Sequence, residues 1–140
     1  MNSQNIKQFV ATKAFIEYRG KILIVRESGD YQNGTNQGKY DVSGGRIEPR
    51  QKFSDCLLRE IREETNLNVK IIKPFWVDEW RPQVNDKSWQ VIGIYFKCQT
   101  NSNKVTLSKD RDDYKWIKPK DYNNFNIINN LKLTFEEYLK

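Results

Sequence analysis

Histidine is absent from this chain, and the absence removes much of enzyme chemistry before any motif is sought. Without imidazole there is no Ser-His or Cys-His nucleophile, no imidazole general base and no His-containing zinc site. Carboxylates are left to do whatever acid, base or metal work occurs. Cysteine is scarce: Cys56 and Cys98 stand far apart without CxxC spacing and read as reduced, half-buried thiols. No stretch approaches the ~20 continuous apolar residues of a membrane span, and the opening "MNSQNIKQ" has no apolar signal core. A cytoplasmic protein without a membrane partner is expected. Basic residues give a net charge of +6, which favours anionic partners, yet no run of about five or six like charges occurs. Scattered cations suit a small phosphate-bearing ligand better than a nucleic-acid track.

What is present suffices for one globular domain over residues 1–140, since aromatics at 13% can supply the burial that offsets chain entropy. "FVATKAFIEY" (9–18) and "KILIVRE" (21–27) are β-branched and aromatic runs divided by Arg19-Gly20, which predicts a hairpin. Residues 28–39 are dense in Gly and Asn and predict a loop; "YDVSGG" (40–45) predicts a short strand entering a glycine turn. From about Gln51 to Thr65 the spacing turns helical, with Phe53, Leu57 and Ile61 four apart and Leu58 beside them. Residues 69–80 and 88–98 follow as strands joined by the turn "RPQVNDK", and "YKWI" (114–117) as a further short strand. Beyond Pro119 a helical turn and a closing helix are expected, its apolar stripe formed by Leu131, Phe135 and Leu139. Such an order gives a mixed α/β layout with helices packed on a sheet.

At about 100° per residue, Glu60, Glu63 and Glu64 share one face of the first helix, beside its apolar stripe. Like charges at this spacing cost a few tenths of a kcal/mol per pair, and glutamates late in a helix oppose its macrodipole. A divalent cation reverses the sign of both effects, because clustered carboxylates are the hard ligands that Mg²⁺ prefers. A solvated charged face, with Arg59 and Arg62 pairing the glutamates, is the competing reading of "REIREE". Gly44 and Gly45 tip the balance: glycines leave room for a ligand beside the main chain, permit unusual φ angles and offer a carbonyl to a cation.

Residues 45–67 resemble the signature of the Nudix hydrolases, the MutT-like pyrophosphatases, written G-x5-E-x7-R-E-U-x-E-E-x-G-U with U a bulky aliphatic. Gly45 takes the first position, Arg59-Glu60 the RE pair, Ile61 the first aliphatic, Glu63-Glu64 the EE pair and Leu67 the last aliphatic. Two positions depart from the pattern: Gln51 stands for the first glutamate and Asn66 for the second glycine. Asn66 is the milder change, since asparagine tolerates the left-handed conformation that ends a helix. Gln51 keeps a carbonyl acceptor for Arg59 but loses the charge, which implies weaker metal binding or a lower rate.

The resemblance implies an α/β/α sandwich with a mixed sheet and the acidic helix behind a glycine turn. It also implies Mg²⁺-dependent, or Mn²⁺-dependent, hydrolysis of the diphosphate bond of a nucleoside diphosphate linked to another group. Glu60 and Glu64 are the implied principal metal ligands, with the Gly45 carbonyl beside them. Glu63 is a further ligand or water-orienting base, and Arg59 holds the glutamates in register. In "LSKDRDDYKWI" (107–117), similar to a later stretch of the family, Asp110 is the implied acidic residue from a loop, Arg111 replaces the usual histidine, and Asp112 is the alternative. Tyr40, Trp76, Trp80 and Trp89 are the aromatics suited to stack on a base, with core packing as the competing fate of each. Arg46 and Arg81 are the basic residues nearest them in the implied substrate site. Pro82, fifteen residues past Leu67, hints at ADP-ribose-type members, while oxidised nucleoside triphosphates stand equally. A small nucleotide is thus the expected partner, with a homodimer frequent among such proteins. Gln51 motivates the other reading, a nucleotide-binding module with weak or absent turnover.

Overall fold

The computed structural model describes residues 6–29 and 36–140. Eight strands, β1 (Ile6–Tyr18), β2 (Lys21–Glu27), β3 (Tyr40–Asp41), β4 (Gly44–Arg46), β5 (Lys70–Trp80), β6 (Gln83–Val84), β7 (Lys87–Gln99) and β8 (Arg111–Ile117), form one mixed sheet. Its central path runs β3-β2-β1-β7-β5, with β4 on β1, β6 on β7 and β8 on β2. Strands β1 and β7 are parallel, whereas the other pairings are antiparallel. Helix α1 (Phe53–Thr65) follows β4, and a 3-10 turn (Pro119–Asn124) precedes helix α2 (Asn129–Tyr138).

The two-residue period of a strand sorts side chains to two faces, and each face carries one helix. Phe15, Ile22, Ile24 and Tyr95 join Leu131 and Phe135 of α2 in one cluster. Ala14, Ile16, Leu23, Val25 and Phe96 join Leu57 and Ile61 of α1 in the other. The layered α/β arrangement implied by the family resemblance is therefore the one observed.

The turns follow their residues. Arg19 and Gly20 both have positive φ, as do Asn85 and Asp86 between β6 and β7, the pattern of a tight two-residue hairpin turn. Gly44 and Gly45 overturn one expectation: they are not a turn of unusual φ but lie in β4, paired with Lys13 and Thr12 of β1. The left-handed residue of this connection is Arg50, φ 70°. Two apolar expectations also fail. Phe53, placed in the α1 stripe, is 48% exposed and stacks on the Phe96 ring, and Leu139 lies past the end of α2, also exposed. Each stands at a helix terminus. Both cysteines are free and fully buried, and burial raises the Cys98 thiol to about 12. Of the loop predicted at residues 28–39, residues 30–35 lie outside the described residues.

Candidate active site

Close backbone packing brings α1 to the sheet beside β4. A Cβ on Gly44 would lie 2.0 Å from the Thr12 carbonyl oxygen, so only glycine lets β4 pass β1 at this distance. A Cβ on Gly45 would lie 2.5 Å from Cδ of Glu60, so the bare Gly45 backbone is the cradle for that carboxylate. Asn66 ends α1 at φ 61°, its N–H bonded to the Arg62 carbonyl, as a residue standing for glycine must.

The three helix glutamates have unequal surroundings. Glu63 is the most exposed, its side chain 61% accessible, and lies 3.7 Å from Arg59 Nε. Glu60 is more enclosed and accepts from Arg59 Nη2 at 3.2 Å. Burial first, then the charges of Glu64 and Glu63, raise the Glu60 carboxyl above the ordinary value. Glu64 is nearly buried, and its oxygens accept from Ser43 Oγ (2.7 Å), the Gly44 N–H (3.1 Å) and Arg111 Nε (2.9 Å). Gln51 does not reach Arg59: its Oε1 accepts the Glu48 N–H at 3.1 Å and closes the turn before α1.

These residues form one wall of a cleft of about 520 Å³. Gly45, Arg46, Glu48, Glu60, Glu63 and Glu64 line it, and Asp110 reaches it from the loop before β8. Asp112 does not line it; it pairs with Arg26 at 2.7 Å. Trp80 and Trp89 face the cleft with Pro82, Val84 and Val91, making one end largely apolar. Arg46 lies over the Phe9 and Trp89 rings at 4.3 and 5.0 Å, so its charge sits at the aromatic end of the cleft.

Three expected substrate contacts are not brought here. Tyr40 is 5% exposed and belongs to the α2-side core, its phenol donating to Asp113. Trp76 packs against the same core, and Arg81 points to solvent, paired with Glu79 at 2.8 Å. For the first two, core packing outweighs stacking because their strand positions face α2; Arg81 lies just beyond the end of β5, outside the cleft.

Sequence reading missed a polar end of the cleft: Glu27, Asn36, Lys39 and the Lys13–Asp41 ion pair at 2.9 Å. Glu27 is 5% exposed; one oxygen accepts the Asn36 N–H while Oε1 is buried without a hydrogen-bond partner among the described residues. Its carboxyl is raised, chiefly by burial. The only signal was a carboxylate closing the apolar strand "KILIVRE". Among the described residues, no three acidic or cysteine side chains are gathered as a metal cluster; Arg59 and Arg111 pair with Glu60 and Glu64.

The model of the NUDIX domain matches residues 8–137. A nucleoside triphosphatase NudI of Klebsiella pneumoniae subsp. pneumoniae is 31% identical over 119 residues, covering 80% of this chain and 83% of that one. Another, from Klebsiella pneumoniae strain 342, is 29% identical over 129 residues, covering 87% and 90%. The MutT protein of Methanosarcina mazei Go1 superposes with a TM-score of 0.79 at 23% identity, over 94% of this chain and 93% of its own. With the glycine cradle, the acidic helix and the cleft they share, this agreement along nearly the whole chain means that the protein belongs to the Nudix family, as a hydrolase acting on phosphoric anhydrides.

Proposed function

We propose that this single-domain enzyme hydrolyses the diphosphate bond of a nucleoside diphosphate linked to another group, with Mg²⁺ as its cofactor and a nucleoside triphosphate as the first substrate to test. The observation that carries the reading is the Glu60 carboxylate set on the bare backbone of Gly45, with Glu63 and Glu64 beside it. The donor set fits a hard divalent cation: carboxylate oxygens on one helix face, next to backbone that a Cβ would fill. When bound, such an ion neutralises the diphosphate and lowers the pKa of a coordinated water.

Glu60, Glu63 and the Gly45 carbonyl would hold the ion, with Glu64 joining by exchange of its arginine and Asp110 from the loop. Glu63, the most exposed and most loosely paired glutamate, is suited to take the proton of the attacking water. Water oxygen bonds to phosphorus, the bridging P–O bond breaks, and the departing oxygen leaves with the electron pair toward the cations Arg46, Lys39 and Lys109 on the walls. Arg59 keeps Glu60 and Glu63 in register. Trp80 and Trp89 are the surfaces on which a base would stack. The two NudI relatives, nucleoside triphosphatases, favour a nucleoside triphosphate over ADP-ribose; cleavage between its α and β phosphates would give the nucleoside monophosphate and inorganic diphosphate.

The test is product release from normal and oxidised nucleoside triphosphates, ADP-ribose and nucleotide sugars, with Mg²⁺, Mn²⁺ or chelator, beside a Glu60→Gln control. Metal-dependent cleavage by the wild type and loss in the control are expected. Nucleotide binding without cleavage of any substrate would replace this reading with the binding-module one that Gln51 motivates.

A further inference from the structure

The three glutamates of α1 are held by arginines of different kinds. Arg59, which serves Glu60 and Glu63, has a side chain 47% exposed, at 3.2 and 3.7 Å, so solvent screens both pairs. Arg111, which serves Glu64, is 9% exposed against 12% for its partner, at 2.9 Å. A carboxylate offers about four lone-pair sites, and protein donors already fill three of them on Glu64. Withdrawing one partner of a buried pair strands the other's charge. Arg111 is further anchored from its own side. It opens β8 opposite Glu27 of β2, its N–H donates to the Ser108 carbonyl, and the Ser108 N–H donates to the Glu64 carbonyl.

We propose that Arg111 is a built-in counter-cation that competes with the divalent metal for Glu64, so that in the resting protein Glu60 and Glu63, not Glu64, set metal affinity. The inference rests on the metal-site reading above. The 108–111 segment that carries Asp110 is held to α1 by backbone as well, the Ser108 N–H donating to the Glu64 carbonyl, so replacing the Arg111 side chain leaves that anchor in place.

Mn²⁺ binding, followed by the electron paramagnetic resonance signal of the free ion without nucleotide, tests this independently of turnover. Glu60→Gln is expected to weaken binding on the order of tenfold or more, and Glu64→Gln to change it less than about twofold. Arg111→Gln is expected to tighten binding on the order of tenfold. In the Arg111→Gln, Glu64→Gln double variant that gain disappears, which a general field effect of the lost charge would not produce. A gain that survives in the double variant overturns the proposal. So does a Glu64→Gln loss equal to that of Glu60→Gln, a comparison that stands even where Arg111→Gln does not fold. Absence of Mn²⁺ binding to the wild type would remove the metal-site reading itself, and this inference with it.

Discussion

Gly44 and Gly45 are neighbours in one strand, yet a methyl group would meet backbone at the first and a side chain at the second. Backbone cannot move aside, so Gly44→Ala is expected to destabilise the protein by roughly 1–3 kcal/mol or more, read as a lower denaturation midpoint. The Glu60 side chain can swing away, so Gly45→Ala should leave stability largely intact. It is expected to lower kcat on the order of 10²-fold, because the displaced group is the one proposed to hold the metal. Glu27 makes a pH prediction. Its folded-state pKa is raised above the ordinary 4.5, so the folded protein binds this proton more tightly than the unfolded chain. Stability therefore falls as pH rises from 4.5 through the raised value and levels off above it. Urea unfolding across this window should show a shallower fall for Glu27→Gln; an unchanged slope would mean that Glu27 does not contribute. Glu60, shifted in the same direction, keeps its own share.

At the scale of elements, α1 couples the core to the site. Leu57 and Ile61 are fully buried on the face adjoining the three glutamates, so whatever moves the apolar stripe moves the carboxylates. Leu57→Ala is expected to cost about 2–5 kcal/mol in chemical denaturation. Metal affinity measured on the fraction that stays folded should weaken too, if stripe and carboxylates move as one body. The helix was legible from its period, as was its end, since Asn66 is one of the few non-glycine residues at ease at φ 61°. The role of the glycines before it was legible only in outline. Sequence shows that a side chain is missing; whether the missing atoms serve a left-handed φ or a close contact depends on what stands opposite, here Thr12 and Glu60. Gln51 makes the same point, because its partner turned out to be the backbone of its own turn and not Arg59.

For the whole molecule, a net charge of +6 acts on any anionic substrate before contact is made. kcat/KM for a nucleoside triphosphate is expected to fall as ionic strength rises, with kcat little changed, since screening weakens attraction and leaves the bound state alone. A salt-independent kcat/KM would indicate that the scattered cations do not steer substrate.

Sequence alone determined the things that are local or periodic. The β-branched and aromatic runs of the long strands, the four-residue recurrence in α1 and the spacing from Gly45 to Leu67 each lie within a short stretch of chain, and from them came the element order, the acidic helix and the family resemblance. Tertiary structure decided what depends on pairing across the chain. It sent Tyr40 and Trp76 to the core and Trp89 to the cleft, and placed Trp80 between the two, packed against the α2-side core and lining the cleft, although all four are strand aromatics. It brought Glu27 and Arg111, far apart in sequence, to facing places in β2 and β8, and set Arg111 on Glu64. Strand order and register create those neighbours, and neither is written in the residues that meet.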